Sequence, residues 1–377
     1  MEPIRILQYG LSSSLAGIEN VIMDLYRNID RERVQFDFLM MNDEDPYFKD
    51  EILEMGGKIY KEIYLRGKNP IRGTFWNYRF FKRHTEFSAI HCNVSSVLSI
   101  DRILTPYVCK NIQQRIVHIH NAGEGKEDKH TRKKIEEIRK QLPQIATDMI
   151  ATSEFAGKYN FGNVLFDVIP NCIEVQKYQF DSSVRKEIRK RYDIESKKVI
   201  GVVGVLRYQK NHEMLLRIFK EILNKDDEYV LMIVGAGFLE KELQQQAISL
   251  EINDNVIWCG KQENPTPFYC AMDLFVMPSR YEGFGLVYME AQCCGLPCVG
   301  SAETVPYEVG VTDLMKFVSL NDSSALWANQ ILNIPILDER ERMKRSKTFK
   351  DYHCDIKDYA NKIEKLYLKN KECEKII

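Results

Sequence analysis

The chain has 377 residues, about the length of two or three ordinary domains. With 44% hydrophobic and 28% charged residues, its composition is typical of a globular protein and excludes a disordered or fibrous one. The 53 basic residues almost balance the 54 acidic ones, so the net charge gives no reason to expect a nucleic-acid partner. The longest apolar stretches, 199–206 and 229–239, are far shorter than the ~20 residues of a membrane-spanning helix, so no such helix is expected.

The N-terminus and the cysteines indicate a cellular compartment. The opening residues MEPIRILQYG lack the basic segment, apolar run and cleavage site of a secretory signal, which predicts a cytoplasmic protein. The ten cysteines are scattered and form no C-x-x-C pattern, which favours buried thiols in a reducing compartment over a disulfide or zinc framework.

The N-terminal half alternates short apolar runs with longer helical or polar segments. Residues 4–9 predict a strand, 10–17 a loop of small residues, and 18–28 an amphipathic helix. Further strands are predicted at 34–41, 89–92, 116–119, 149–151 and 168–169. This alternation indicates a parallel sheet flanked by helices.

The same alternation restarts after a charged helical stretch at 182–192. Strands are predicted at 199–206, 229–234, 256–258, 274–277 and 298–300, with helices at 213–223, 240–250 and 286–294. The chain is therefore expected to form two Rossmann-like, doubly wound α/β domains facing each other across a cleft. We predict an N-terminal domain of 1–175 and a C-terminal domain of 176–354, with a final helix at about 355–377 that can pack back on the first domain.

Ligands of open parallel sheets bind beyond the carboxyl ends of the strands, so the loops there hold the candidate contacts. In the loop that begins at Gly204, Arg207 and Lys210 are two cations three residues apart at the entrance to a helix. They suit a diphosphate, and the alternative is a solvated basic loop. Gly235 and Gly237 follow the next strand, where they either let a backbone approach a ligand or simply connect strand to helix.

A glycine-rich loop feeds the helix predicted at 286–294, which Gly295 closes. Glu282 lies in the loop and Glu290 about one turn inside the helix, where carboxylates can accept hydrogen bonds from sugar and ribose hydroxyls. A carboxylate that serves only the helix dipole is the alternative.

Two histidines end the predicted strand at 116–119. Alternation puts His118 and His120 on one side of the strand. A metal pair is one interpretation, but no third ligand lies at a recognisable spacing. A polar contact to a substrate or a satisfied core histidine is favoured, so no metal site is predicted.

Taken together, three segments carry a family resemblance. The segment 204–211, the block from Glu282 to Glu290, and Ile169-Pro170-Asn171 resemble the three signatures of the group 1 (family 4) retaining glycosyltransferases of the GT-B fold. The opening strand with Ala16-Gly17-Ile18-Glu19 and the segment His118-Ile119-His120-Asn121 are similar too. The bacterial members with such patterns build capsular polysaccharide, exopolysaccharide or lipopolysaccharide O-chains.

The resemblance implies a role for each matched residue. Arg207 and Lys210 neutralise the diphosphate as it leaves, Glu282 contacts hydroxyls of the donor sugar, and Glu290 holds the ribose hydroxyls. His120, a better match than His118, contacts the donor sugar near the reacting centre. The implied donor-binding set is Gly17, Gly204, Arg207, Lys210, Gly235, Gly237, Glu282, Gly283, Phe284, Gly285, Leu286 and Glu290.

The implied reaction transfers a glycosyl group from a nucleoside diphosphate sugar to an acceptor hydroxyl with retention of configuration at the anomeric carbon. A UDP-sugar is the expected donor. No metal and no other cofactor are expected, because the cations and helix N-termini supply the positive charge. Attack from the leaving-group face is favoured over a covalent two-step route. Lys210 and Glu282 are expected in solvent-facing loops, so that replacing either leaves the fold intact.

The acceptor is sought in the segment 64–84, which holds six Lys or Arg, six aromatic residues and no acidic residue. Such a surface fits an anionic membrane or a lipid-linked glycan, which predicts peripheral association with the cell membrane. The alternative is a helix whose phenylalanines face the core and whose cations are solvated. The candidate acceptor and membrane residues are Arg66, Lys68, Arg72, Trp76, Arg79, Lys82 and Arg83.

Competing functions remain for a fold of this kind. A GT-B-like sugar nucleotide epimerase shares the predicted architecture, as does a phosphorylase, for which no pyridoxal lysine is identified. A catalytically silent scaffold that binds a nucleotide sugar or a partner protein is the alternative from a different class. The intact set of Arg207, Lys210, Glu282 and Glu290 favours the transferase, because a decayed site would be expected to lose at least one of them.

Overall fold

The computed structural model describes residues 2–13, 17–40, 43–61, 78–100, 112–123 and 128–374. The chain divides into two compact units. The N-terminal unit comprises Met1–Asn171 and Ile356–Ile377, and the C-terminal unit comprises Cys172–Asp355. These bounds differ from the domain limits given above by a few residues.

The described elements alternate along the chain. The strands are β1 (Ile4–Tyr9), β2 (Val34–Met40), β3 (Ile59–Lys61), β4 (Phe87–Val94), β5 (Gln114–Ile119), β6 (Asp148–Ala151), β7 (Asp167–Val168), β8 (Lys198–Val203), β9 (Tyr229–Val234), β10 (Val256–Trp258), β11 (Leu274–Met277), β12 (Cys298–Ser301) and β13 (Met315–Val318). The helices are α1 (Gly17–Asn28), α2 (Lys49–Glu54), α3 (Lys129–Ile145), α4 (Glu154–Phe161), α5 (Ser182–Arg191), α6 (His212–Leu223), α7 (Glu240–Ser249), α8 (Thr266–Ala271), α9 (Leu286–Cys293), α10 (Ser324–Leu332), α11 (Glu339–Thr348) and α12 (Ile356–Glu374). Residues 78–83 are also helical.

Each unit is built on one parallel sheet. The N-terminal sheet has the strand order β3-β2-β1-β4-β5-β6-β7, and the C-terminal sheet has the order β10-β9-β8-β11-β12-β13. In both, the first strand of the unit lies beside its fourth, which is the doubly wound Rossmann arrangement. Ligands of such sheets bind where the strand order reverses, so β1 and β4, and likewise β8 and β11, mark the edges to search. The expectation of two Rossmann-like α/β domains is confirmed.

The strands of the C-terminal sheet are apolar because helices cover both faces. All six residues of β9, YVLMIV, are buried, as a strand sandwiched between two helical layers requires. The amphipathic helix α6 buries seven of its residues against this sheet region, including Leu215 and Phe219.

The C-terminal end of the chain consists of two helices, α11 and α12, and α12 (Ile356–Glu374) lies where the final helix is predicted. His353 adopts a left-handed backbone conformation (φ 54°) and separates α11 from α12. The two helices belong to different units, and α12 packs on the N-terminal unit through buried Tyr359, Ile363 and Tyr367. Tyr367 meets Phe36 of β2 edge-on, with ring centroids 5.9 Å apart.

Two further observations concern the part of the chain that the structure describes. None of its helices is long and apolar enough to cross a membrane. Eight described cysteines are free thiols, and seven of these are buried.

Candidate active site

The loop after β8 presents the two candidate phosphate-binding cations. Residues Tyr208–Lys210 form one short 3-10 turn, and Asn211 ends it in a left-handed conformation (φ 57°) before α6 begins. The Asn211 side-chain amide donates to the carbonyl oxygen of Pro278 at 2.9 Å, which holds this turn against the loop after β11. Arg207 is exposed, and its guanidinium has no hydrogen-bond or ion-pair partner among the described residues.

The loop after β11 brings Glu282 to Lys210. The Lys210 ammonium donates to Glu282 Oε1 at 2.7 Å, and the Ser279 hydroxyl donates to the same oxygen at 2.7 Å. Gln209 donates to the carbonyl oxygen of Tyr281 at 2.9 Å. The loops after β8 and β11, which flank the point of strand-order reversal, are therefore joined by side-chain hydrogen bonds.

The expectation that Lys210 and Glu282 lie in solvent-facing loops is wrong. Their side chains are only 12% and 5% exposed, because each neutralises the other's charge and Ser279 adds a further hydrogen bond. The sequence does not predict this burial, because the two partners of the ion pair are 72 positions apart in the chain.

The glycines after β9 are required by packing between loops. Gly235 has a φ of +146°, and a Cβ atom there would overlap the carbonyl oxygen of Gly204. A Cβ atom on Gly237 would overlap the carbonyl oxygen of Leu206. Both glycines therefore allow the β9 loop to pack closely against the loop that carries Arg207. Of the two interpretations of these glycines, connection and close packing account for both positions without a ligand.

Helix α9 positions the second carboxylate. Gly285 precedes the helix in a left-handed conformation (φ 96°), and Glu290 lies one turn inside it, as the sequence predicts. The Tyr269 hydroxyl donates to Glu290 Oε2 at 2.6 Å. Burial raises the pKa of the Glu290 carboxyl above its ordinary value, against the opposing effects of the Tyr269 hydrogen bond and the positive charge of Lys177.

The residues between Glu282 and Glu290 shape the start of α9. Phe284 is buried and contributes its side chain to the core of the unit, so its backbone is held firmly beside Gly283 and Leu286. Gly285 lies close to the ring of Tyr288, whose hydroxyl donates to the carbonyl oxygen of Met277 at 2.6 Å. The helix start is thus fixed to the end of β11.

His118 and His120 lie in the N-terminal unit, on the same face of the sheet as the sequence predicts. Both are buried, and their ring centroids are 4.2 Å apart. His120 Nε2 is 3.0 Å from the side-chain oxygen of Asn93, and His118 Nδ1 is 3.2 Å from Nε2 of His91. Burial lowers the pKa of His120 to about 3 and that of His91 to about 3, so both rings are neutral at pH 7.

The metal interpretation of the two histidines has no third ligand in this geometry. Among residues 2–13, 17–40, 43–61, 78–100, 112–123 and 128–374, no three His, Cys, Asp or Glu side chains are grouped so that they could hold a metal ion.

Gly17 is the first residue of α1 and is exposed. A Cβ atom at this position would meet nothing within 4 Å, so packing within the described residues does not require a glycine there.

Part of the candidate acceptor surface lies outside the described residues, namely Arg66, Lys68, Arg72 and Trp76. The described part, residues 78–83, is helical. Phe81 is buried in the core, whereas Arg79, Lys82 and Arg83 are exposed. For this part, the burial of Phe81 and the exposure of the three cations fit the interpretation of core phenylalanines with solvated cations.

Several residues of these clusters were not singled out from the sequence. They are Gln209, Ser279, Tyr269, His91, Asn93 and Tyr367. A signal exists for two of them, because His91 and Asn93 are polar residues spaced by two within the otherwise apolar strand β4. Gln209 and Ser279 lie inside the segments that carry the resemblance, but nothing in the sequence predicts their contacts.

Comparisons with known proteins agree with this architecture. Residues 184–348 match the family model Glycosyl transferases group 1. EpsF of Bacillus subtilis (strain 168), assigned as a glycosyltransferase, is 26% identical over 337 residues, which are 87% of this chain and 86% of EpsF. The capsular polysaccharide biosynthesis glycosyltransferase CapM of Staphylococcus aureus is 31% identical over 175 residues, 42% of this chain and 46% of CapM.

Among solved structures, Anabaena HepE in complex with UDP superposes with a TM-score of 0.79 at 18% identity, covering 96% of this chain and 99% of HepE. This similarity establishes the GT-B fold. Residues 184–348 are therefore similar to the group 1 glycosyltransferases, and the chain has the GT-B fold and resembles the bacterial glycosyltransferases EpsF and CapM.

Proposed function

We propose that this protein is a retaining glycosyltransferase that moves a sugar from a nucleoside diphosphate sugar to an acceptor hydroxyl. The observation that carries the proposal is the ion pair of Lys210 with Glu282, which joins the loops after β8 and β11, with the exposed Arg207 on the first of these loops. This is the edge of a doubly wound sheet where ligands bind. The UDP complex of HepE supports UDP as the nucleotide, and the name of CapM, a capsular polysaccharide biosynthesis glycosyltransferase, supports a surface polysaccharide as the product.

In this proposal, Arg207 and Lys210 stabilise the departing diphosphate. The Arg207 guanidinium is exposed and offers its donors to a ligand. The Lys210 ammonium has three donors and uses one on Glu282, so it keeps others for phosphate oxygens. Charge-assisted hydrogen bonds of this kind supply the stabilisation that a divalent metal ion would otherwise give, so we propose a metal-independent reaction.

The two carboxylates serve the hydroxyls of the donor. Glu282 accepts from Lys210 and Ser279 through Oε1, while Oε2 receives a long hydrogen bond of 3.5 Å from the Gln209 amide and keeps a lone pair for a sugar hydroxyl. Glu290 accepts from the Tyr269 hydroxyl through Oε2 and has a further hydrogen bond with Tyr178, and its remaining lone pairs serve the ribose. The backbone amides around Gly283, Phe284, Gly285 and Leu286 contact the sugar and phosphate at the start of α9. Gly204, Gly235 and Gly237 shape the backbone beside Arg207.

The reaction forms a bond between the acceptor oxygen and the anomeric carbon as the bond from that carbon to the phosphate oxygen breaks. The leaving diphosphate takes the bonding electron pair and then the proton of the acceptor hydroxyl. Because attack comes from the leaving-group face, the anomeric configuration is retained. His120 contributes a neutral hydrogen bond to the donor sugar, and Gly17 lies near the phosphates.

For the acceptor we propose a lipid-linked glycan, with the exposed cations Arg79, Lys82 and Arg83 contributing to contact with an anionic membrane surface. Co-sedimentation with vesicles that contain anionic lipid tests this part. Absence of binding at low ionic strength would contradict the membrane contact.

The experiment for the whole proposal offers radiolabelled UDP-glucose, UDP-galactose, UDP-N-acetylglucosamine and GDP-mannose, each with a membrane lipid extract as the acceptor source. We expect transfer of label from one of them, undiminished by EDTA, and an α-linked product from an α-linked donor by NMR. An inverted product would contradict the retaining reaction. Loss of transfer in EDTA that is restored by a divalent cation would contradict metal independence, and no transfer from any donor would contradict the activity.

A further inference from the structure

A chain of buried hydrogen bonds connects the C-terminal helix α12 with the two histidines at the end of β5. We call it the Tyr367 network; its members are Gln8, His91, Asn93, His118, His120 and Tyr367. All six residues are buried, with at most 8% of any of them exposed.

The sheet register places these groups on one face. Gln8 of β1 lies opposite His91 of β4, and Asn93 lies opposite His118 of β5. Because alternate residues of a strand share a face, the five side chains from the sheet point to the side on which α12 packs. Tyr367 reaches this face from α12.

The first branch fixes the proton on His118. Gln8 Nε2 donates to the Tyr367 hydroxyl at 2.9 Å, so the hydroxyl oxygen accepts from Gln8 and gives its own proton to His91 Nδ1, 2.6 Å away. A neutral His91 then carries its proton on Nε2 and donates to His118 Nδ1 at 3.2 Å. His118 is left with its proton on Nε2, as a donor.

The second branch fixes the proton on His120. Asn93 Nδ2 donates to Gln8 Oε1 at 3.0 Å, so Asn93 Oδ1 is left to accept. His120 Nε2 lies 3.0 Å from that oxygen and must carry the proton, which leaves His120 Nδ1 as an acceptor.

The branches end at two buried ring nitrogens without partners. These are Nε2 of His118, a donor, and Nδ1 of His120, an acceptor, and neither has a hydrogen-bond partner within the described part of the chain. Buried polar atoms are normally paired, so an unpaired donor and acceptor on rings 4.2 Å apart need an explanation. A hydroxyl both donates and accepts, and it satisfies such a pair.

We propose that Tyr367 is a positioning residue whose hydroxyl sets the tautomer of His118 through His91, while Gln8, which is bound to the same hydroxyl, sets that of His120 through Asn93, so that the two histidines present one donor and one acceptor to a sugar hydroxyl of the substrate. The sugar as ligand rests on the proposed function. The tautomer assignment depends only on the hydrogen bonds within the N-terminal unit. In this arrangement the histidines bind as neutral groups and do not act as acids.

The first test measures the tautomers directly in the full chain labelled with ¹⁵N-histidine, whose seven histidines can be assigned by single substitutions. Two-bond ¹H–¹⁵N correlation spectra are expected to show proton-bearing Nε2 and bare Nδ1 for His91, His118 and His120. A bare Nε2 on His120 or on His118 would overturn the proposal. This readout needs no substrate.

The second test is Tyr367→Phe, which removes the hydroxyl and keeps the ring that packs on Phe36. We expect mixed tautomers for His91 and His118, a fall in kcat of about tenfold to a hundredfold, and a KM for the nucleotide sugar within about twofold of wild type. Tyr26→Phe is the matched control, because Tyr26 is a buried tyrosine of the same unit whose hydroxyl donates to Met55. Wild-type tautomers and kcat in Tyr367→Phe would overturn the proposal.

If Tyr367→Phe does not fold, Gln8→Met breaks the network at the residue that joins Tyr367 to Asn93. It removes the acceptor for Asn93 and is expected to release the tautomer of His120 and lower kcat. Unchanged His120 spectra and kcat would overturn the proposal. If the wild-type protein transfers no sugar although its tautomers are as expected, the proposed function fails and the assignment of the network stands.

Discussion

Arg207 and Lys210 carry the same charge but have opposite structural roles, which separates their contributions to stability and activity. Because Arg207 is exposed and has no partner among the described residues, Arg207→Ala is expected to change the free energy of unfolding by no more than about 0.5 kcal/mol. Its loss removes stabilisation of the leaving group, so kcat should fall about a hundredfold or more.

The matched control is Arg217→Ala, which removes an exposed arginine of α6 in the same unit. It should leave both stability and transfer near wild type. Transfer by Arg207→Ala at the rate of Arg217→Ala would refute the role of Arg207.

Lys210→Met is expected to destabilise the protein by about 2–4 kcal/mol, because it leaves the buried Glu282 carboxylate without its cation. Adding Glu282→Gln removes the unpaired charge, so the double variant should regain part of this loss in urea unfolding and still transfer no sugar. A single variant as stable as wild type would show that the pair does not contribute to folding. A stable and active double variant would refute the catalytic role as well.

At the scale of elements, the loops of the C-terminal unit depend on backbone contacts that only glycine permits. Gly235→Ala places a methyl group on the carbonyl oxygen of Gly204 at a φ of +146°, so it is expected to cost about 2 kcal/mol or more and to displace the loop that carries Arg207. Gly17→Ala, at a helix start with open space, should be neutral or stabilising by up to about 1 kcal/mol. Thermal unfolding of both variants checks this, and equal stability of the two would contradict the packing role of Gly235.

The sequence predicts the elements that are strongly apolar or strongly periodic. β1, β9, β10 and β11 have the predicted bounds, and the apolar runs of β9 and β11 are buried throughout. It does not predict β3 or β13, whose residues are mostly only half-buried and so lack a clear pattern. Such edge strands are defined by pairing with β2 and β12, which a local pattern does not contain.

For the whole molecule, four buried histidines predict loss of stability in mild acid. Burial lowers the pKa of His91, His120 and His212 to about 3, and that of His118 well below its ordinary value. In the unfolded chain a histidine has a pKa of about 6.5, so the unfolded state binds more protons between pH 6.5 and about 3. The free energy of unfolding therefore has its full value above pH 6.5. It falls as the pH decreases through this window, by about 1.4 kcal/mol per pH unit for each histidine.

Urea unfolding at pH 7.5 and pH 5.5 measures this loss. His212→Leu removes one buried imidazole, whose two nitrogens have no partner among the described residues. This change should reduce the difference in the free energy of unfolding between the two pH values by about 1 kcal/mol. His130→Gln, on the exposed face of α3, should leave it unchanged. A pH-independent free energy of unfolding would show that the histidines are not buried as neutral groups.

How much of the candidate site is predictable depends on sequence distance. Arg207, Lys210, Glu282 and Glu290 are recognisable because each lies in a short segment that resembles a family signature. The contact of Lys210 with Glu282 spans 72 positions, and that of His91 with Tyr367 spans 276. Contacts of this length arise from the order of strands in a sheet and the return of α12 to the N-terminal unit, so they become visible only in the folded chain.

The central claim, a nucleoside diphosphate site beside Arg207, is tested most directly by a thermal-shift panel of UDP, GDP, ADP and CMP. A ligand that binds only the folded state raises the Tm by mass action. We expect UDP to raise the Tm of the wild-type protein and of Arg217→Ala, and Arg207→Ala to abolish this rise. No rise with any nucleotide, or an equal rise in Arg207→Ala, would contradict it.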